Sequence, residues 1–145
     1  MEDQLKLENQ LCFPLYAASR QITGLYTPFL KELDLSYTQY IVMLVLWQNE
    51  QIRVTDLCRR LYLDTGTITP LLKKLENKGY LIRKRSMEDE RVVMVCLTDE
   101  GRQLKKKAVS IPEKVSNCVS LQNDEAAALY GILYKILEGQ KDEQG

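Results

Sequence analysis

The chain has 145 residues, with 20 Lys and Arg against 20 Asp and Glu, and no histidine. That length carries one compact domain with a buried core, and the balanced charge means that any nucleic-acid surface has to be local. The missing histidine excludes imidazole acid–base catalysis and Ser-His or Cys-His nucleophiles, and with four scattered cysteines at 12, 58, 96 and 118 and no C-x-x-C pair it argues against a structural zinc site; no metal or cofactor is expected.

The opening "MEDQLKLENQ" is acidic and polar, unlike a secretory signal. The longest apolar run, residues 40–47, is too short to cross a bilayer. The expectation is a cytoplasmic protein with no membrane partner, in a compartment that disfavours standing disulfides. Leu11, Leu15, Ala18 and Ile22 recur at helical spacing and predict a first helix over about 9–25. Pro14 cannot donate to the carbonyl of Gln10, so this helix either kinks there or begins its regular part close to Cys12. Pro28 can open a short helix over 29–33. "SYTQ" reads as a capping box, Ser36 with Gln39, for a helix over 37–49 that is apolar almost all round and so central.

Thr55 can cap a helix carrying Leu57 and Leu61. Asp64 to Thr67 offer caps to the next helix, which carries Ile68, Leu71, Leu72 and Leu75 and stops at Gly79. "YLI" and "VVMVCL" are strand-like and flank "RKRSMEDER", a hairpin with a charged tip. Thr98 can cap a helix over 99–111, interrupted by Pro112. A last helix over 124–138 carries Leu129, Ile132, Leu133, Ile136 and Leu137, and the final "GQKDEQG" is expected to fray.

Two short helices, a tight turn between them and a charged hairpin after them make a winged helix-turn-helix, an arrangement that reads DNA. Thr65, Thr67 and Thr69 stand at the N-terminal end of the second helix, where hydroxyls and methyls meet phosphates and base edges. Lys73, Lys74 and Lys78 project away from the Leu71/Leu75 stripe. Arg83, Lys84 and Arg85 form one arm of the hairpin, and Arg91 starts the other. Each feature alone has a plainer reading as a solvated face, a cap or a charged edge. Their order along one chain favours duplex DNA.

"LYLDTGTITPLLKKLENKGYLIRKRSMEDERVVMVCLTDEG" resembles the winged helix of the MarR family of transcription regulators, with a D-x-R wing signature followed by L-T-x-x-G. The resemblance implies a mostly α fold (α+β) in a single domain over 1–145. Helices at about 1–34 and 102–140 would build a two-fold homodimer, and about 36–98 would form the winged helix-turn-helix on operator DNA. It implies that Asp89 fixes the wing and that Arg91 enters the minor groove, whose negative potential attracts arginine. Thr65, Thr67, Thr69 and Lys73 would face the major groove, with Arg83 and Arg85 on the wing. Two recognition helices would then stand ~34 Å apart on a pseudo-palindrome.

"LENQLCFPLYAASR…LYTPFL…LSYTQYIVMLVLW" is similar to the OhrR-type branch of organic-hydroperoxide sensors. That similarity implies Cys12 as the sensing thiol. Tyr26 and Tyr37 would hydrogen-bond its thiolate across the dimer interface, and Tyr16 would be a further aromatic near the pocket. Pro14 departs from the branch pattern. The thiolate is the reactive form, and an ordinary thiol of pKa ~8.5 is mostly protonated at neutral pH, so the anion needs donors. If Asn9 caps the first helix, Cys12 lies in its first turn, where the dipole favours negative charge. Oxidation gives a sulfenic acid that a second thiol converts to a disulfide. Cys118 of the other subunit or a low-molecular-weight thiol can serve, and Cys118 reads equally well as a small apolar residue. Cys58 and Cys96 read as packing residues. The expected function is a non-enzymatic repressor whose operator binding is switched off when organic hydroperoxides oxidise Cys12. The alternative is a MarR-type repressor released by a small-molecule ligand.

Overall fold

The structure, a computed structural model, describes residues 2–144, with side chains as far as residue 139. The chain divides into two compact units, residues 1–115 and 116–145. In the first, two 3-10 turns, Glu2–Leu5 and Leu7–Asn9, lead into α1 (Cys12–Leu25). Asn9 does not cap α1. Its amide donates to the Asp3 carbonyl at 2.6 Å, and the Gln10 amide donates to the Gln4 and Lys6 carbonyls at 2.7 and 2.8 Å. The helix therefore begins at Cys12, three residues later than expected, and Pro14 sits in its first turn, where no intrahelical N–H is needed. Pro14 starts the helix rather than kinking it.

Next, α2 (Thr27–Lys31) starts earlier than expected, with Pro28 at its second residue. The capping box then opens α3 (Tyr37–Asn49): Gln39 N–H donates to Ser36 Oγ at 3.2 Å and Ser36 N–H to Gln39 Oε1 at 3.0 Å. A strand that the sequence pattern did not reveal, β1 (Gln51–Arg53), comes before α4 (Val54–Leu61). Thr55 lies inside α4, and Arg53 stands at the cap position without a side-chain bond. Asp64 caps α5 (Thr65–Asn77), accepting Thr67 N–H at 2.7 Å. That helix ends in a Schellman motif: Gly79 adopts φ +86°, its N–H bonds to Glu76, and Tyr80 N–H bonds to Leu75.

The hairpin is β2 (Leu81–Arg85) and β3 (Val93–Leu97). The sheet is antiparallel in the order β1-β3-β2, with Ile52 and Arg83 both opposite Val95. Thr98 caps α6 (Asp99–Ala108), accepting Gly101 N–H at 3.1 Å. Pro112 is the second residue of a separate short helix, α7 (Ile111–Ser116). In the second unit α8 (Asn123–Gln144) runs through most of the tail expected to fray; Gly145 lies outside the described residues.

The first unit's core gathers Val42, Met43 and Leu46 of α3, Leu57 of α4, Ile68, Leu72 and Leu75 of α5, and Leu81 and Val95 of the sheet, all fully buried. By contrast α1 buries none of its residues, and α8 none as far as residue 139. Leu11 just before α1 and Phe13, Leu15 and Tyr16 on it, and Leu129, Tyr130, Ile132 and Ile136 on α8, stand exposed. Apolar stripes of this kind on a single chain mark interaction faces. No described helix is long and apolar enough to cross a membrane.

Candidate functional site

The wing and the start of α5 enclose a cleft of about 310 Å³, lined by Arg53, Arg83 and Arg91 with Thr55, Thr65 and Thr69. Its cations come from three places: the residue before α4, strand β2 and the wing's return arm. Thr65, Thr67 and Thr69 are all exposed. Thr67 serves the cap through its N–H, and its side chain first, then its N–H, hold the Asp64 carboxyl below the ordinary range. Thr69 Oγ1 donates to the Thr65 carbonyl at 2.8 Å, which leaves its methyl and lone pairs outward. Lys73 and Lys74 are exposed on the same helix.

The wing tip is built by Asp89. Its carboxylate accepts Arg91 N–H at 3.0 Å and Arg91 Nε at 3.2 Å, and its carbonyl accepts Val92 N–H at 3.0 Å. The backbone N–H of Arg91 first, then its side chain, hold the Asp89 carboxyl below the ordinary range. The Arg91 side chain is itself 91% exposed. Arg85 braces the tip through the Glu90 carbonyl at 2.8 Å. Arg83 is engaged differently. Its guanidinium pairs with Glu76 of α5 at 3.3 Å and its N–H donates to the same carboxylate at 2.8 Å, which fastens the wing to the helix.

Cys12 and the Tyr26/Tyr37 pair do not meet within one chain. Cys12 is exposed at the first residue of α1, and Tyr26 follows the helix's last residue. Fourteen residues at ~1.5 Å each put them about 21 Å apart. Tyr26 and Tyr37 do meet each other, edge to face with ring centroids 5.0 Å apart, and Tyr40 continues the cluster 5.6 Å from Tyr26. Burial first, and the neighbouring Tyr26 second, push the Tyr37 hydroxyl above its ordinary value, so it stays a donor. Tyr16 is exposed one turn beyond Cys12, with the Arg20 guanidinium 5.5 Å over its ring. Cys118, exposed, precedes α8 in the second unit. Among the described residues no group of three or more His, Cys, Asp or Glu side chains could hold a metal ion.

Residues 24–108 match the family model described as "Transcriptional regulator SarA/Rot". The "Organic hydroperoxide resistance transcriptional regulator" of Bacillus subtilis is 46% identical over 136 residues, 94% of this chain and 92% of that protein. This chain belongs to the MarR-type family of transcriptional regulators, in the organic-hydroperoxide branch. SarZ of Staphylococcus saprophyticus is 46% identical over 85% of this chain and 84% of its own. Among solved structures, overoxidized AbfR bound to DNA is 34% identical at a TM-score of 0.77, covering 96% of this chain and 98% of that one. Reduced AbfR bound to DNA gives the same identity and TM-score over 96% and 97%. Disulfide-formed AbfR gives 34% and a TM-score of 0.67 over 96% and 95%.

Sequence reasoning missed three features of this MarR-type regulator. Arg53 joins the basic cleft from a three-residue strand too short to show a pattern. Glu50, at a left-handed φ of 62°, pairs with Arg102 of α6 at 2.6 Å and binds the end of α3 to that helix. Lys78 turns away from the exposed lysines of α5 and bonds the turn before α3. Only Arg102, one residue beyond L-T-x-x-G, had a sequence signal near it.

Proposed function

We propose that this regulator is a homodimeric repressor that holds operator DNA while reduced and leaves it when an organic hydroperoxide oxidises Cys12. It is a DNA-binding regulator and not an enzyme, as its relatives are. The observation that carries the redox reading is the exposed thiol at one end of α1 and the half-buried tyrosine pair at the other. A second α1 laid antiparallel would bring each thiol to the partner's tyrosines and cover the apolar stripe. On this reading residues 1–34 and 102–140 form the dimerisation region and 36–98 the DNA-binding region, in a cytoplasmic protein. Thr65, Thr67, Thr69 and Lys73 lie at the major groove, and Arg91, held by Asp89, lies in the minor groove. Arg85 braces the wing, and Arg83 ties it to α5.

The Cys12 thiolate attacks the terminal oxygen of the hydroperoxide. The O–O bond breaks, an S–O bond forms, and the departing alkoxide takes up the proton that the thiol had released to solvent and leaves as the alcohol. The sulfur becomes a sulfenic acid. A second thiol then forms an S–S bond and releases water. Tyr26 and Tyr37 donate to the anion, with Tyr16 beside them. AbfR is bound to DNA both reduced and overoxidized, and this supports disulfide formation, through Cys118 or a small thiol, as the releasing step.

The test is operator binding to the region upstream of the gene. Reduced protein should bind, cumene hydroperoxide should release it, and Cys12→Ser should stay bound under oxidant. A second reading, release by a small-molecule ligand, draws on a groove of about 350 Å³ lined by Tyr40, Leu44, Trp47 and Val109 together with Gln48 and Lys105. Under that reading Cys12→Ser still comes off DNA when its ligand is added.

A further inference from the structure

We propose that Lys78 is the positioning residue that carries a shift of the tyrosine pair to the recognition helix. The inference rests on Cys12 being the switch and names how the switch reaches DNA.

Lys78 is the residue at which α5 ends, and its side chain is only 27% exposed. Its ammonium bonds the Asp34 carbonyl and lies 3.4 Å from Gln39 Oε1 and 3.5 Å from the Asp34 carboxylate. Three donors thus meet three oxygens. Two of these oxygens belong to Asp34, in the corner between α2 and α3, and the third to Gln39 in the first turn of α3. Asp34 holds that corner at a left-handed φ of 55°, a conformation costly for a residue with a side chain. Gln39, 6% exposed, uses the same Oε1 to accept Ser36 N–H in the capping box.

The first residue inside that box is Tyr37. Its ring packs on Tyr26, which lies immediately before α2. The corner that leads into Tyr37 is therefore fastened to the end of α5 by one cation that is itself only 27% exposed and bonds the buried Gln39 side chain, while the Asp34 carboxylate beside it is 91% exposed. Apolar packing between α3 and α5 resists separation but tolerates sliding; the ammonium fixes the register. If an oxidised thiol changes what the tyrosines bind, the corner shifts, and Lys78 makes α5 follow.

Coupling between two sites is typically worth a factor of about 5 to 150 in affinity. In full-length Lys78→Met the operator affinity of the reduced protein should stay within about threefold of wild type. The ratio of reduced to oxidised affinity should fall by roughly tenfold. Cys12 should still be consumed by cumene hydroperoxide at the wild-type rate, which separates transmission from sensing. Lys78→Arg should restore most of the ratio, and Lys78→Gln provides a second loss-of-charge variant should methionine impair folding. An undiminished ratio in both Lys78→Met and Lys78→Gln, beside normal wild-type release, would overturn the role of Lys78 alone. Release of Cys12→Ser by hydroperoxide would overturn the sensor reading and this inference with it.

Discussion

A methyl group on Gly101 would sit 2.3 Å from the Tyr80 carbonyl oxygen and 2.6 Å from a Leu97 methyl, closer than van der Waals contact allows. The Gly101 carbonyl also accepts the Trp47 indole N–H at 2.8 Å. Gly101→Ala should therefore destabilise by about 1–3 kcal/mol through overpacking, read as a lower urea midpoint at unchanged slope. An unshifted midpoint would show that the neighbours yield freely. The L-T-x-x-G signature thus has a physical meaning: Leu97 is buried, Thr98 caps α6 while donating to the Gly79 carbonyl at 2.6 Å, and Gly101 lets the chain pass. Arg91 is the opposite case. Its exposure predicts that Arg91→Ala leaves the urea midpoint alone and weakens operator binding roughly ten- to a hundredfold, the range for a groove-reading arginine. Competition binding against non-operator duplex checks it, and equal loss on both duplexes would assign Arg91 to phosphate instead. The helical pattern grouped Lys78 with Lys73 and Lys74. Its partner lies 44 residues earlier, a separation no periodicity reveals.

Helices that carry their own caps were legible to within a residue or so at their starts: α3 through Ser36 and Gln39, α5 through Asp64, α6 through Thr98. Those without one were not. Asn9 looked like the cap of α1 but its amide serves Asp3, and Thr55 looked like the cap of α4 but lies inside it. β1 escaped because three residues offer too little alternation, and it exists only by pairing with β3. The caps and the wing fastening also predict a pH response. Thr67 holds the Asp64 carboxyl below its ordinary value, and the Arg83 side chain, then its N–H, do the same for Glu76. A carboxyl lowered on folding contributes stability that is fully present above its unfolded value, ~4, and is lost as pH falls through the folded one. Between about pH 5 and 3 the loss of stability should be shallower in Asp64→Asn and in Glu76→Gln than in wild type, followed by urea denaturation at each pH. Parallel curves would mean that neither carboxylate is linked to folding.

With 20 basic against 20 acidic residues the molecule has no net charge to draw it to DNA, so binding needs a local basic surface. α1, and α8 as far as residue 139, bury none of their residues, and on the proposed reading their apolar side chains meet a second copy. The winged helix was readable because its residues lie close in sequence. The proposed redox site was readable only by resemblance, because within one chain Cys12 and the Tyr26/Tyr37 pair stand at opposite ends of α1. That separation shapes the final prediction. A sulfenic acid on Cys12 adds one oxygen atom, whereas a disulfide to Cys118 of the other subunit ties two chains and can hold the recognition helices away from their ~34 Å spacing. Wild type treated with cumene hydroperoxide, with no small thiol present, should run as a covalent dimer on non-reducing electrophoresis and leave the operator. Cys118→Ser should consume the peroxide once, remain monomeric on the gel and stay bound. Adding a low-molecular-weight thiol should then form a mixed disulfide on Cys12 and release that variant. If Cys118→Ser leaves the operator as readily as wild type before any small thiol is supplied, a bond between the two chains is not what releases the DNA.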